Sequence, residues 1–394
     1  MSNSYIQKAE EAILHTYNRY PVVFDHGEGV HLYDVDGKKY LDFAAGIAVQ
    51  SLGYGHKEYT QALKDQIDKL THISNLYYTV PMMEAAEKVV RASGMSKVFF
   101  TNSGTEAIEG ALKAARKYSY EKYGEGRHEI IAMNHSFHGR SIGALSVTGN
   151  EKYQIPFRPL LPGVLFAEYN DLESVKAQMT EHTCAVILET VQGEGGVYPA
   201  TEEFLKGVKA LCEAHDVLLI LDEIQCGMGR TGYMFAWQEY GVEPDIMTCA
   251  KAIGCGVPVG AFVLGKKAAE GSLKAGDHGT TYGGNPFVCA AVSKVFDLYE
   301  KEHILEHVRT VGAYLTEQLD ALVKTYDFLK ERRGKGMIQG LEVTGRPVGE
   351  IVERALANGL VLITAGSNVL RFVPPLVITK EDVDDMIGKL RQSF

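Results

Sequence analysis

Two side chains in the middle of the chain, an acid and a lysine, have the types and spacing that covalent amine chemistry requires. Asp222 and Glu223 follow an apolar run at 217–221, which predicts a buried strand of a parallel sheet. Lys251 follows a second strand-like run at 246–248, within a segment rich in small residues and glycine. The carboxyl ends of parallel strands are where open α/β sheets hold ligands. We therefore expect the acid and the lysine to leave neighbouring strand ends and to face one ligand.

A lysine in so apolar a setting is costly unless its amine is neutralised, paired or used covalently. A desolvated lysine amine is a nucleophile toward aldehydes, and enzymes that use pyridoxal phosphate pair such a lysine with an acid on the pyridinium nitrogen. Lys251 and Asp222 fit that pair. Taken alone, two such residues are more often an ordinary strand-end acid and a solvated loop lysine, so the surrounding motifs must decide.

The chain that positions this pair has an ordinary globular composition. With 394 residues, 45% hydrophobic and 23% charged, it is long enough for a large core and more than one domain. A net charge of -10 without a long basic run argues against nucleic acid or an anionic membrane as the main partner. No apolar signal region or membrane-length run is present, so we expect a cytoplasmic protein. Six cysteines without C-x-x-C spacing predict reduced core thiols.

Short apolar strands alternate with amphipathic helices from about 97 to 264, which predicts one mainly parallel sheet covered by helices. Before this region we expect a helix at 6–17 and a hairpin that turns at Asp36-Gly37. After about 304 the pattern predicts a smaller α+β unit. The expected division is 1–55 for an N-terminal arm and part of the small domain, 56–300 for the large domain, and 301–394 for the C-terminal small domain.

A loop after the predicted strand at 97–100 has the residues of a phosphate cradle. Gly104 and Thr105 lie where a small polar turn gives way to a helix with one apolar face. Free N–H groups, hydroxyls and the positive end of the helix dipole converge at such a point. As an isolated motif, this pattern is more often only a helix N-cap.

A second loop follows the predicted strand at 130–133 and carries an aromatic ring and an arginine. Phe137 and Arg140 suit stacking on a flat ring and gripping a carboxylate. His135 and His138, three residues apart with no carboxylate or thiol partner, make a weak case for a metal, and we predict none.

Two glycine motifs match nucleotide-binding patterns in the wrong context. Residues 227–232 match G-x-G-x-x-G, but they do not open a helix directly after a strand, and the expected acid about 20 residues later is missing. Residues 260–267 resemble a phosphate-binding loop, but Lys267 stands where Ser or Thr must contact magnesium. We reject both motifs as nucleotide sites.

Together, the motifs resemble those of the class III, fold-type I aminotransferases that use pyridoxal phosphate. Five motifs occur in family order: Ser-Gly-Thr-Glu-Ala at 103–107, Phe-His-Gly-Arg at 137–140, Leu-Asp-Glu-Ile-Gln at 221–225, Ala-Lys-Ala-Ile at 250–253 and Thr-Tyr-Gly-Gly-Asn-Pro at 281–286. The resemblance covers essentially the whole chain. It implies an α/β fold of fold type I, with a mostly parallel seven-stranded sheet in a large domain and a smaller α+β domain. It also implies pyridoxal 5'-phosphate as the cofactor.

The resemblance implies a role for each matching residue around the cofactor. Lys251 would hold the cofactor covalently and move a proton during the reaction, and Asp222 would keep the pyridine nitrogen protonated. The further contacts implied are Gly104 and Thr105 at the phosphate, Phe137 on the ring, Gln225 at the ring hydroxyl, and Thr281 of a second subunit at the phosphate. A homodimer with shared active sites is therefore part of the expectation.

For the substrates, the resemblance implies two arginines. Arg371 would bind the α-carboxylate of glutamate, and Glu189 would mask that arginine when an ω-amino donor binds. Arg140 would hold the carboxylate at the other end of the donor, and Thr280 would contact the acyl substrate. A planar guanidinium grips a carboxylate through two hydrogen bonds, so lysine would not replace either arginine.

The implied reaction transfers the δ-amino group of N2-acetylornithine to 2-oxoglutarate, a step in arginine biosynthesis. The segment 44–49 is small and aliphatic, which leaves room for an acyl group where ornithine aminotransferases usually carry an aromatic residue. Ornithine, 4-aminobutyrate and succinyldiaminopimelate stay open as alternative donors. A non-catalytic binding protein is disfavoured by the intact Lys251 and Asp222, and a dehydrogenase that uses 227–232 is the third alternative.

Overall fold

The computed structural model describes residues 2–394, and Met1 lies outside the described part. The strands in chain order are β1 Phe24–Glu28, β2 His31–Asp34, β3 Lys39–Asp42, β4 Lys97–Thr101, β5 Glu129–Met133, β6 Val164–Ala167, β7 Thr183–Glu189, β8 Val191–Gln192, β9 Tyr198–Pro199, β10 Leu218–Asp222, β11 Ile246–Cys249, β12 Gly260–Leu264, β13 Leu329–Lys335, β14 Ile338–Val343, β15 Leu360–Val361, β16 Ile363–Ala365 and β17 Val369–Phe372. The α-helices are α1 Ser2–Ala12, α2 Ala45–Ala48, α3 Lys57–Lys69, α4 Val80–Ser93, α5 Gly104–Tyr123, α6 Ile142–Ser146, α7 Glu151–Gln154, α8 Leu172–Gln178, α9 Glu202–His215, α10 Lys266–Gly271, α11 Pro286–Lys301, α12 Ile304–Thr325, α13 Val348–Ala357 and α14 Lys380–Ser393.

A seven-stranded sheet forms the centre of the molecule, in the order β4-β12-β11-β10-β7-β5-β6. Strand β12 is antiparallel to both of its neighbours, and the other neighbouring pairs are parallel. Every residue of β10 and β12 is buried, as expected for a sheet covered by helices on both faces. The predicted seven-stranded, mostly parallel sheet is confirmed.

Helix α5 packs on this sheet and begins beside the carboxyl end of β4. It buries the apolar stripe predicted from the sequence: Ile108, Ala111, Leu112 and Ala115. Gly110 lies where a Cβ atom would come within 2.2 Å of Phe262 Cε1, so a glycine is needed for the helix to approach β12. This close packing fixes where the first turn of the helix, with its free N–H groups, is placed.

Two four-stranded sheets accompany the central one, in the orders β1-β2-β3-β15 and β13-β14-β17-β16, and β8 pairs with β9 in a two-stranded sheet. The first sheet joins the N-terminal hairpin, which turns at Asp36-Gly37 as predicted, to β15 from the C-terminal part of the chain. The helix predicted at 6–17 ends earlier, at Ala12. Leu14 is 81% exposed, so the residues beyond Ala12 have no core against which a longer helix could be stabilised.

The short element α2, in the small aliphatic segment before the central sheet, is a left-handed turn and not a regular α-helix. Ala45, Gly46, Ile47 and Ala48 all have φ between 48° and 66°. Left-handed backbone costs roughly 1–2 kcal/mol per L-residue, so the surrounding structure must impose this turn. Val49, the next residue, lines the central cavity described below.

Two further features bear on the class of protein. Within residues 2–394, no helix is long and apolar enough to cross a membrane. All six cysteines are free and buried, which confirms the predicted reduced core thiols.

Candidate active site

A cavity of about 510 Å³ lies at the carboxyl ends of the central parallel strands. The predicted site residues that line it are Gly104, Thr105, Phe137, Arg140, Glu189, Asp222, Gln225 and Lys251. Thr280, Thr281 and Arg371 lie outside this lining. The structure therefore brings eight of the eleven predicted residues to one cavity, from loops that are far apart in the sequence.

Three donors hold the carboxylate of Asp222 at the end of β10. His138 Nδ1 lies 2.7 Å from Oδ2. Thr248 Oγ1 and the backbone N of Ile224 donate to Oδ1 at 3.1 and 3.0 Å. Asp222 is 3% exposed, so these bonds fix the direction in which its carboxylate faces the cavity.

His138 has a different place from the weak metal ligand considered from the sequence. Its ring is completely buried, and its Nε2 atom has no hydrogen-bond partner. Burial alone would lower the pKa of His138, but the hydrogen bond to Asp222 and the charges of Asp222 and Glu189 together outweigh burial and raise the pKa above its usual value. The sequence analysis missed this residue as the partner that orients Asp222, although it lies inside the Phe-His-Gly-Arg motif.

Lys251 follows β11, which lies beside β10 in the sheet. Thr248 of β11 is directly opposite Asp222, so the acid and the lysine leave neighbouring strand ends as predicted. The backbone of Lys251 is left-handed, with φ of 51°. Burial lowers the pKa of its amine to about 8. More of this amine is therefore uncharged at neutral pH than in a solvated lysine, which makes it a better nucleophile.

The start of α5 packs against the loop that carries Phe137 and Arg140. Thr105 Oγ1 lies 2.8 Å from Ser141 Oγ. A Cβ atom on Gly139, whose φ is 142°, would lie 2.3 Å from Thr105 Oγ1, so this approach requires glycine. Ser141 adds a hydroxyl beside the cradle, one residue beyond the motif that the sequence analysis used.

Arg371, in β17, is 2% exposed and paired with an acid. Its Nη1 atom lies 2.7 Å from Glu194 Oε1 and donates to Gln225 Oε1 at 2.9 Å. Burial alone would raise the pKa of Glu194, but the charge and hydrogen bond of Arg371, with the charge of Lys251 and the hydrogen bond of Gln225, together outweigh burial and lower the pKa. Arg371 therefore reaches the cavity through two residues that line it.

This contact corrects the prediction that Glu189 masks Arg371. The carboxylate of Glu189 instead accepts hydrogen bonds from the backbone N of Phe137 at 2.7 Å and of Gly193 at 3.0 Å. Burial raises the pKa of Glu189 to about 7. The sequence did contain a signal for Glu194, because an acid among the glycines of 193–196 directly follows the strand ends of the site.

Glu223, the second acid at the end of β10, does not line the cavity. Its carboxylate accepts hydrogen bonds from Thr190 Oγ1 at 2.6 Å and from the backbone N of Ala236 and Trp237 at 2.7 and 3.2 Å. Burial raises the pKa of Glu223 to about 7. This acid anchors the loop after β10 and leaves the cavity to Asp222.

Arg140 lies at the exposed rim of the cavity. Its guanidinium carbon is 4.0 Å from the ring centroid of Tyr153 and 5.6 Å from that of Phe137. Stacking on the two rings holds the guanidinium at the entrance, where a carboxylate can reach it.

Thr280 and Thr281 lie on a loop outside the cavity of this chain. Thr280 Oγ1 accepts hydrogen bonds from Asn102 Nδ2 and from the backbone N of Gly283, each at 3.2 Å. Thr281 is exposed. Their predicted contacts with acyl substrate and with the phosphate of a second subunit stay predictions.

The comparison with known proteins places the chain in a family. The model of the family described as Aminotransferase class-III matches residues 13–394. The chain belongs to the class III aminotransferases. The acetylornithine aminotransferase of Methanocaldococcus jannaschii is 46% identical to this class III aminotransferase over 97% of the chain and 95% of the relative. That of Caldanaerobacter subterraneus is 47% identical over 95% of each chain. The ornithine aminotransferase structure from Toxoplasma gondii superposes with a TM-score of 0.96 at 31% identity, covering 100% of this chain and 94% of its own.

Class III aminotransferases use pyridoxal 5'-phosphate, which confirms the predicted cofactor. The cavity of this class III aminotransferase has the groups that the cofactor requires. A half-buried amine with a lowered pKa suits the aldehyde, a buried carboxylate suits the ring nitrogen, and the start of a 20-residue helix suits the phosphate. The residues that supply them are Lys251, Asp222, Gly104 and Thr105.

Proposed function

We propose that the protein transfers the δ-amino group of N2-acetyl-L-ornithine to 2-oxoglutarate, giving N-acetyl-L-glutamate 5-semialdehyde and L-glutamate. The observation that carries this proposal is the identity of 44 to 47% to relatives named acetylornithine aminotransferase, over at least 95% of the chain. The small and aliphatic segment 44–49 supports it, since Val49 of this segment lines the cavity and the segment places no aromatic side chain where an acyl group would lie.

The direct test is a product analysis. Purified protein with pyridoxal phosphate, N2-acetylornithine and 2-oxoglutarate should form glutamate and the semialdehyde in equal amounts, measured by mass spectrometry. Omitting either substrate should abolish multiple turnovers. Glutamate formation from ornithine or 4-aminobutyrate, but not from N2-acetylornithine, would contradict the proposed donor.

The cofactor contacts proposed for this chain follow from the cavity lining. When bound, pyridoxal phosphate supplies an electron sink that allows an amino group to be exchanged for a carbonyl oxygen. Lys251 would hold the cofactor and then carry a proton at the substrate carbon, which its lowered pKa permits. Asp222, oriented by His138, would hold the proton on the ring nitrogen. The other proposed contacts are Gly104 and Thr105 at the phosphate, Phe137 on the ring face and Gln225 at the ring hydroxyl.

The substrate roles proposed for the two arginines follow from their surroundings. Arg371 is masked by Glu194, and this ion pair would stay closed when N2-acetylornithine presents its δ-amino group. Glutamate would open the pair, because its α-carboxylate replaces Glu194 on the guanidinium. Arg140, at the exposed rim, would hold the carboxylate at the other end of N2-acetylornithine, whereas glutamate would also be held by Arg371.

Ornithine is the second candidate donor, because the ornithine aminotransferase of Toxoplasma gondii shares the fold at a TM-score of 0.96. Its identity to the chain is 31%, however, against 46% for the acetylornithine aminotransferase of Methanocaldococcus jannaschii. The comparison therefore favours the acetylated donor.

A homodimer with shared active sites is also part of the proposal. Exposed apolar side chains cluster around the loop that carries Thr281, including Tyr78 at 99% and Leu76 at 85% exposure. Asn75 Nδ2 donates to Gly283 O at 2.8 Å, so the segment that carries Leu76 and Tyr78 is hydrogen-bonded to the loop that carries Thr281. Apolar surface of this kind is typical of a subunit interface, and a second copy would bring Thr281 to the partner's cavity.

Hybrid dimers test the shared site. Thr281→Ala and Lys251→Ala homodimers should each have low activity, but mixing the two after unfolding and refolding should restore part of it. One site in each hybrid would then carry neither change. Mixtures that stay as inactive as the separate variants would contradict a shared site.

The division of the chain into domains at 55 and 300 and a cytoplasmic location stay predictions from the sequence.

A further inference from the structure

The glycine motif at 227–232, rejected above as a nucleotide site, has a buried arginine at its centre. Arg230 is 1% exposed, and its hydrogen bonds go to backbone carbonyls. Its Nη2 atom has no hydrogen-bond partner. Burial lowers its pKa to about 10, so the guanidinium is charged at neutral pH. Burying a charge that is bonded only to carbonyls costs free energy. We therefore ask which segments of the chain the Arg230 side chain holds together.

The carbonyls that Arg230 contacts lie next to β17, which carries Arg371, and next to β14, which pairs with β17. Nη1 of Arg230 donates to Met337 O at 3.3 Å and to Pro374 O. Met337 directly precedes β14, and Pro374 follows β17 by two residues. In that pair of strands, Gly340 lies directly opposite Arg371. The backbone O of Arg230 also accepts from Met337 N at 2.8 Å, so Arg230 is bonded to residues just outside both strands of the ladder.

Arg230 itself lies on the loop that follows β10, which also carries Gln225. Arg230 lies five residues after Gln225 and eight after Asp222, on the loop that leaves β10. A Cβ atom on Gly336, whose φ is 51°, would lie 2.6 Å from Arg230 O. The loop and the start of the β14 segment therefore touch backbone to backbone, without a side chain between them.

We propose that Arg230 is a positioning residue for substrate recognition, which fixes the β14–β17 ladder against the Asp222 loop so that Arg371 meets the α-carboxylate of the substrate. This inference rests on the role proposed above for Arg371. Both bonds come from Nη1, and the amine of a lysine, which is carried one bond nearer to the backbone, does not reach both carbonyls.

The test compares Arg230→Lys and Arg230→Met with the unmodified holoenzyme in two half-reactions. Glutamate needs the α-carboxylate contact with Arg371, and N2-acetylornithine does not. We expect the second-order rate constant of the half-reaction to fall by at least about tenfold for glutamate, because the glutamate concentration needed for half-saturation rises. For N2-acetylornithine, we expect it to fall by less than about threefold. Arg309→Met is the matched control, because Arg309 Nη1 donates to Gly232 O at 2.5 Å in the same motif but not to the strands of Arg371.

Equal losses in the two half-reactions would overturn the inference, as would the same selective loss in Arg309→Met. If Arg230→Met does not fold, Arg230→Lys decides, since it keeps the charge and most of the volume. Failure of the proposed function is visible separately, as an unmodified enzyme that does not react with N2-acetylornithine. In that case, the comparison with glutamate would use another donor that the unmodified enzyme accepts, one whose reacting amine is remote from its α-carboxylate.

Discussion

Replacing Glu194 with glutamine should change the balance between the two amino donors. The carboxylate lies 2.7 Å from Arg371 Nη1, and glutamate must displace it before its own α-carboxylate can bind. Removing the negative charge lowers the cost of this displacement. The N2-acetylornithine half-reaction gains nothing, because that donor leaves Arg371 masked.

The size of the change follows from how far the ion pair is buried. The side chain of Arg371 is 3% exposed, and that of Glu194 is 32% exposed. Exposed pairs contribute roughly 0.2–1 kcal/mol. Breaking a fully buried pair costs roughly 3–5 kcal/mol. With one partner a third exposed, solvent screening places this pair between the two, at about 1–2 kcal/mol, which corresponds to a factor of about 5–30.

The assay is a pair of single-turnover half-reactions, followed by the absorbance of the cofactor, with glutamate and N2-acetylornithine as donors. Glu194→Gln should raise the ratio of the glutamate rate constant to the N2-acetylornithine rate constant by about 5–30-fold. Glu189→Gln is the control and should leave the ratio unchanged, because Glu189 contacts the backbone of Phe137 and Gly193. A shift in the Glu189 variant with none in the Glu194 variant would refute the reasoning.

Four further predictions follow from the same contacts. Lys251→Ala should prevent borohydride from fixing the cofactor to the chain, and a mass spectrum that still shows the adduct would exclude Lys251 as the attachment point. His138→Ala removes one of three bonds to Asp222 and should lower kcat by about 10–100-fold, whereas an unchanged kcat would contradict its orienting role. Arg140→Ala should weaken N2-acetylornithine more than glutamate, and equal losses would argue against a donor-side role. Burial raises the pKa of Glu223 from 4.5 to about 7, so the contribution of its protonated form to stability is full below pH 4.5 and is lost as the pH rises through 7. The melting temperature of the unmodified protein, relative to that of Glu223→Gln, should therefore fall between pH 4.5 and 7. A difference in melting temperature that stays constant with pH would contradict this.

The central sheet and most of the cavity lining could be predicted because apolar runs end at isolated polar residues. Asp222 and Lys251 follow buried strands, and parallel strands bring their carboxyl ends to one edge. The stripe of α5 was equally readable from its helical spacing. Local pattern sufficed wherever the chemistry lies at the end of a strand or the start of a helix.

The partners of these residues could not be predicted, since they depend on side-chain geometry between distant segments. Glu194, in the loop between β8 and β9, and Arg371, in β17, are 177 positions apart, so spacing does not decide which nearby acid reaches the guanidinium. His138 reaches Asp222 across 84 positions. The left-handed turn at 45–48 contains one glycine, and the packing around it imposes a backbone that its other residues disfavour.

The most direct test of the proposed function is the unmodified enzyme mixed separately with N2-acetylornithine, ornithine, 4-aminobutyrate and glutamate, with the cofactor absorbance followed in a single turnover. The account predicts fast conversion of the cofactor by N2-acetylornithine and glutamate, and slow conversion by free ornithine and 4-aminobutyrate. Faster conversion by ornithine or 4-aminobutyrate than by N2-acetylornithine would contradict the proposed donor, and a protein that binds no pyridoxal phosphate would contradict the whole account.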